Sequence, residues 1–152
     1  MRPNFCGQGR EIIGPCLMLE KPAYGQPCNS CGRCCQDELC ALAKKVFGPR
    51  PGPCPALAEV EDGFGCGLIL TPSRYAPAAT SVYGTDAVGE AAALLCAAGA
   101  GCDAQGHDEL VDEAVRARVM NATRSRPQDE IERAREIWRG AWLPESAEPF
   151  IR

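Results

Sequence analysis

Between residues 28 and 40 the chain reads Cys28-Asn-Ser-Cys31-Gly-Arg-Cys34-Cys35-Gln-Asp-Glu-Leu-Cys40. Five of the eleven cysteines fall in those thirteen residues, and Cys54 and Cys66 follow in Pro- and Gly-rich surroundings. Neither packing nor nucleophilic catalysis needs so many sulfurs so close together. Thiolates two residues apart can converge on one metal centre, because the intervening turn aims both side chains inward and points backbone N–H groups at the sulfurs. A stretch built this way folds around its cysteines rather than along a regular helix or strand.

The rest of the chain is long enough not to need metal or disulfide staples. At 152 residues it can bury an ordinary core, unlike chains of about 40 residues. The cysteines therefore have a task beyond holding the fold. Their number is odd, which weighs against a disulfide framework. A net charge of −4 argues against nucleic acid as a partner, since phosphate binding needs clustered Lys and Arg. The one basic cluster near the cysteines, Lys44-Lys45 and Arg50, reads as a solvated face. Residues 1–10 lack an apolar signal region, and no stretch approaches the roughly 20 apolar residues of a membrane span. The expected location is the cytoplasm, where thiols stay reduced, with a protein partner for redox or cluster transfer and no membrane.

The composition changes near residue 82. Residues 1–82 hold nine of the eleven cysteines, while residues 83–152 read as helices. The expected architecture is α+β and mostly α, in a single domain over residues 1–152. An irregular metal-binding half with a β-hairpin packs on a helical half of about three helices. Asp37 is placed to cap a short helix over 37–47, with Gly48 to end it. Residues 49–55 hold four prolines and exclude helix or central strand. Residues 57–70 read as a hairpin turning at Asp62-Gly63, with Cys66 on the return strand. An apolar pattern over 86–98 predicts a buried helix. Residues 108–121 predict a second helix, with Asp108 and Glu109 in its first turn and Leu110, Val111, Ala114, Val115 and Val119 along one side. Ser125 and Gln128 match a capping box for a last helix carrying Ile131, Ala134, Ile137, Trp138, Ala141 and Trp142. The two tryptophans read as core packing, with a partner surface as the other use.

Cys28-x2-Cys31-x2-Cys34 is the opening of the bacterial ferredoxin spacing. Glu38 stands three residues after Cys35 and no second triple occurs, so the chain departs from that pattern soon afterwards. Adjacent Cys34 and Cys35 seldom bind one small ion together, and seven thiols exceed the four that one zinc or one [4Fe–4S] cube takes. Either two centres exist or some thiols are spare. Cys96 reads as core; Cys6 and Cys16 have no diagnostic spacing. Cys102 and the single His107 share a Gly-rich loop that reads as a capped turn, with a second metal site as the sharper option. Arg33 and the N–H groups of Gly32, Gly65 and Gly67 are placed to offset cluster charge.

Cys28-x2-Cys31-Gly-x-Cys34-Cys35, then Cys54-Pro-x-Leu57, then Cys66-x-Leu68 before Pro72, resembles the YkgJ-type cysteine-cluster family, whose members are described as zinc- or iron-chelating domains. The resemblance spans roughly residues 28–77. The family has a further Cys about ten residues after the one matching Cys66; here the stretch reads Ser73-Arg74-Tyr75-Ala76-Pro77-Ala78, and Cys40 or an outlying thiol is the substitute. Related clusters beside flagellin lysine methylases imply an iron–sulfur role. The ligand pool is Cys28, Cys31, Cys34, Cys35, Cys54 and Cys66, with Cys40. The leading expectation is a [4Fe–4S] cluster for electron transfer, redox sensing or cluster delivery. The alternatives are a structural zinc-binding interaction module, and an accessory subunit of a cluster-dependent modifying enzyme.

Overall fold

The computed structural model describes residues 21–27, 31–60, 63–98, 101–106 and 108–143. Its elements run α1 (Arg33–Asp37), α2 (Ala41–Phe47), β1 (Leu57–Val60), β2 (Gly63–Cys66), α3 (Gly67–Leu70), a 3-10 turn (Pro72–Arg74), α4 (Pro77–Tyr83), α5 (Thr85–Leu95), α6 (Glu113–Arg124) and α7 (Gln128–Arg139). The architecture is α+β and mostly α, as the sequence predicts. One two-stranded antiparallel hairpin pairs Leu57 with Cys66 and Val60 with Gly63.

The helix expected over 37–47 is divided. Asp37 closes α1, and residues 38–40 are irregular, with Glu38 bridged to Pro51. Cys40 takes the N-cap of α2, its sulfur accepting the Ala43 N–H at 3.4 Å. Gly48, at φ 81°, ends α2 as expected. The return strand stops at Cys66, and residues 67–70 turn into α3 instead of continuing the hairpin. Asp62, the expected turn residue, lies outside the described residues.

The middle helix begins at Glu113, five residues later than expected. Asp112 supplies the cap, accepting the Ala114 N–H at 2.7 Å. Asp108, Glu109 and Leu110 consequently precede the helix, and Leu110 is 99% exposed. Ala114 is exposed as well, so only Val119 of the expected stripe is fully buried. The Ser125–Gln128 capping box does not form: Ser125 closes α6 on Asn121, and Pro127 stands at the start of α7. Proline already supplies the fixed φ that a helix start uses.

One core joins both halves. Leu39, Leu42, Ala43, Val46, Ala56 and Leu68 meet Val88, Ala91, Ala92, Ala134 and Trp138 in a single cluster. Trp138 has no exposed surface and donates its indole N–H to the Val88 carbonyl at 3.0 Å. Gly89 lets α3 approach α5, since a Cβ there would meet the Ile69 carbonyl oxygen at 2.7 Å. Beyond α7, the Leu143 N–H bonds to the Lys45 carbonyl at 2.9 Å, and the Lys45 ammonium stands 5.3 Å from the Trp142 ring centre. Both contacts fasten the end of the helical half onto α2, and Lys45 keeps the exposed position expected of it.

Candidate metal centre

Three short devices bring the cysteines together. Gly32 enters α1 at φ 72°, a left-handed conformation that suits glycine; a Cβ there would also stand 2.8 Å from the Phe64 side chain. This packs the Cys31–Cys35 turn onto the hairpin. The Pro-rich segment then returns, and the Cys54 N–H bonds to the Cys35 carbonyl at 2.7 Å. Finally the Gly67 N–H bonds to the Ala56 carbonyl at 2.7 Å, placing Cys66 at the foot of the hairpin beside that return. Periodicity is irrelevant to all three: one position is fixed by a left-handed glycine and the other two by single backbone bonds.

Among the described cysteines Cys54 is the buried one, and Cys40, Cys66 and Cys96 are half-buried. The Cys40 and Cys96 sulfurs are 3.7 Å apart and share a hydrogen bond. Hydrogen bonding to Cys96 pulls the Cys40 thiol down to about 6, and Cys96 likewise lowers the Cys66 thiol to about 7. N–H groups of Ala43 and Leu42 at Cys40, and of Ile69 and Leu68 at Cys66, act in the same direction. Both sulfurs thus sit at the starts of short helices, where backbone N–H groups favour the thiolate. Cys96 is pushed up, because its proton serves both neighbours and because it is buried.

Cys35 and Cys54 complete this group. Cys54 is buried, and burial raises its thiol, with Cys40 and Cys66 as negative neighbours. Cys35 packs against the core and is raised by its hydrogen bond with Cys34, by burial and by the charge of Cys34, Cys54 and Cys66. The Cys34 and Cys35 sulfurs are 3.9 Å apart, a contact that lowers Cys34 to about 7. None of the eight described cysteines is in a disulfide. The contacts are pairwise: among the described residues, no three His, Cys, Asp or Glu side chains close on one point as a single ion requires.

A cavity of about 160 Å³ opens on the other side of the turn, with Cys31, Cys34, Cys96 and Cys102 on its walls alongside Lys21 and Arg33. Segment 21–27 is latched there. Glu109 accepts the Tyr24 N–H at 2.7 Å, the Gly106 N–H at 2.8 Å and the Lys21 ammonium at 2.9 Å. These partners, the Gly106 N–H foremost, hold its carboxyl at about 2. Cys102 exchanges backbone bonds with Gly25 and Gln26 at 2.7 and 2.8 Å, and its sulfur lies 3.8 Å from the Lys21 ammonium.

The structure thus gathers Cys35, Cys40, Cys54 and Cys66, with Cys34 touching Cys35. It places Cys31 on the cavity wall. Cys6, Cys16, Cys28 and His107 lie outside the described residues. Cys96 does pack against the core, as its helix predicts, yet it also joins the thiol group; only its position at the last turn of an apolar helix pointed to such a role. Cys102 has Lys21 as its neighbour, and no signal within its own loop indicated that. The Gly67 N–H is already committed to Ala56, so it does not offset sulfur charge as expected. Arg33 pairs with Asp37 at 3.3 Å.

No family model matches the chain, and it matches no curated protein and no solved structure. Among the described residues no helix is long and apolar enough to cross a membrane.

Proposed function

We propose that this is a metal-thiolate protein whose cysteines hold a [4Fe–4S] cluster, used for electron transfer, redox sensing or cluster delivery to a protein partner. The supporting observation is that thiols from separate segments lie near one another without forming disulfides: the Cys40 and Cys96 sulfurs are 3.7 Å apart, and Cys54 and Cys66 act electrostatically on Cys35. The donor set suits the group, since cubane clusters take four thiolates, each on its own iron, and need no three sulfurs around one point. Ligands would come from Cys31, Cys34, Cys35, Cys54 and Cys66, joined by Cys40 and Cys96. Bound there, the cluster supplies one-electron chemistry. The chain's own contribution is to shield it against the core and to aim backbone N–H groups at Cys40 and Cys66, which stabilises negative charge on sulfur. The likeness to YkgJ-type clusters points the same way, and it carries the further proposal of an accessory role beside a modifying enzyme.

Zinc is the second reading, and one distance favours it. Thiolates about 2.3 Å from a tetrahedral ion stand about 3.8 Å apart, which matches the 3.7 Å between Cys40 and Cys96. Substitution separates shielding from ligation. Cys66→Ser and Cys96→Ser should each remove most of the visible chromophore of anaerobically prepared protein while the helical circular dichroism is retained. Chromophore of full intensity in both variants would refute the assignment of this thiol group.

A further inference from the structure

Two pairs of described sulfurs touch: Cys34 with Cys35 at 3.9 Å, and Cys40 with Cys96 at 3.7 Å. The first pair is poorly suited to a disulfide. Neighbouring Cα atoms stand about 3.8 Å apart across a trans peptide, short of the roughly 4.4–6.8 Å that a disulfide spans. The second pair has no such restraint, because its members lie 56 positions apart in the chain.

We infer that Cys40 and Cys96 form a reversible dithiol–disulfide switch: a peroxide oxidises the metal-free pair, and the disulfide shuts the thiol group to metal. The second half of this rests on the metal-thiolate reading, and it names redox sensing as the regulation of that site.

Helix ends place the two sulfurs. Cys40 is the N-cap of α2 and Cys96 the C-cap of α5. The chain leaves α5 directly after Cys96, where Ala97 takes a left-handed φ of 54°. Bond formation brings the sulfurs from 3.7 Å to about 2.05 Å. Helix ends fray where helix interiors do not, so the end of α5 can take up this approach while Val88, Ala91 and Ala92 stay in the core. An oxidant reaches the pair through the open cavity, whose wall includes Cys96. At about 160 Å³ that cavity far exceeds the roughly 10–15 Å³ that one water needs, so a small peroxide fits.

The peroxide is the two-electron oxidant. One sulfur, as thiolate, attacks a peroxide oxygen; an S–O bond forms, the O–O bond breaks, and the displaced oxygen takes up a proton and leaves as water. The second thiol then attacks the sulfenic sulfur, forming the S–S bond, and the S–O oxygen leaves as a second water. Two thiols lose two electrons and two protons, and the peroxide gains them. A thiol reductant reverses the change. The disulfide removes two sulfurs from the group that includes Cys35, Cys54 and Cys66, and it ties the start of α2 to the end of α5. A cross-link closing so long a loop restricts the unfolded chain, so oxidation should also raise stability.

The test treats the reduced, metal-stripped full chain with hydrogen peroxide, quenches by alkylation and maps the thiols by non-reducing peptide mass spectrometry. The first pair lost should be Cys40 and Cys96, linked to each other and released by dithiothreitol, and the urea midpoint of the oxidised chain should be higher. Cys40→Ser, in which serine takes a helix N-cap that it favours, should lose this rapid step and keep its helical circular dichroism. Cys66→Ser should keep the step, although Cys66 also acts on Cys96. Any other pair closing first, or equal rates in wild type and Cys40→Ser, would overturn the switch. Reduced and oxidised chains are then offered ferrous iron and sulfide without oxygen. The reduced chain should take up iron, and the oxidised chain little until dithiothreitol is added. Equal uptake by both would overturn the switch and leave the metal-thiolate reading standing. No uptake by either, with the disulfide formed, would overturn the metal-thiolate reading instead.

Discussion

Where α5 meets α7, Val88, Ala91 and Ala92 lie against Ala134 and Trp138, and the buried polar atom of that tryptophan has its partner in the Val88 carbonyl. Where the cysteine turn meets the hairpin, the materials are different. Short segments are held by single backbone bonds, Cys54 to Cys35 and Gly67 to Ala56, and half-buried thiols fill the space between them. The helical seam gains its stability from apolar burial spread over several turns. The thiol seam adds sulfurs that carry charge when ionised, and on the metal-thiolate proposal a bound cation is the source of its cohesion. On that proposal one region is a scaffold that stands by itself, and the other is a receptor for the metal that completes it.

The sharpest way to break this contrast is Trp138→Ala. Truncating a fully buried tryptophan costs about 3–5 kcal/mol, and here it also strips the Val88 carbonyl of its donor. Urea unfolding followed by circular dichroism should show a loss of that size with or without metal. A loss seen only in metal-free protein would place the stability of the helical seam in the metal centre, contrary to the contrast drawn here.

Gly32→Ala comes next, with Gly140→Ala as its control. Gly32 has φ 72° and its Cβ position lies 2.8 Å from the Phe64 side chain, whereas Gly140 has φ −67° and open space at its Cβ position. The left-handed conformation alone costs about 1 kcal/mol, and forcing a methyl group against a packed ring adds about 1–3 kcal/mol. Gly32→Ala should therefore be clearly the more destabilising of the pair and should lower metal retention. Equal effects would mean that the turn's seat on the hairpin is unimportant.

These two examples also show why the regions differed in legibility. The buried face of α7 follows from 3.6-residue spacing, and Ile131, Ala134 and Trp138 lie on it as expected. The helix predicted from Asp108 starts instead at Glu113, because by sequence alone Asp108 and Glu109 suit a first turn; the latch that takes Glu109 away from the helix depends on Lys21 and Tyr24, far back in the chain. In the thiol seam, the spacing of Cys28, Cys31, Cys34 and Cys35 points to a candidate site. It could not reveal Cys96 or Cys102, because the hydrogen bonds that bring them in join residues distant in sequence. Adjacent side chains diverge in extended chain, but Cys34 and Cys35 lie in α1 and their sulfurs stand 3.9 Å apart.

Asp112→Ala probes a helix outside the thiol seam. Loss of the side-chain cap on α6 should cost about 1 kcal/mol, read as a shift of the urea midpoint without change in metal content. A fall in metal content would show that α6, whose Val119 and Thr123 line the cavity, is coupled to the site more tightly than proposed.

The smallest effect concerns pH. Glu109 titrates at about 2 in the fold against an ordinary value of 4.5. Its latch therefore contributes fully above about pH 4.5, and the contribution is lost as pH falls toward 2. Comparing urea midpoints at about pH 7 and about pH 3, wild type should lose more stability than Glu109→Gln. Identical pH dependence in the two proteins would remove the latch from the account.

The most direct test of the central proposal is to prepare the protein without oxygen and measure iron, acid-labile sulfide and zinc per chain together with the visible spectrum. The account predicts a brown protein with about four irons and matching sulfide. A colourless protein that holds only zinc and unfolds with chelators would contradict it, making the chain a zinc-stabilised interaction module.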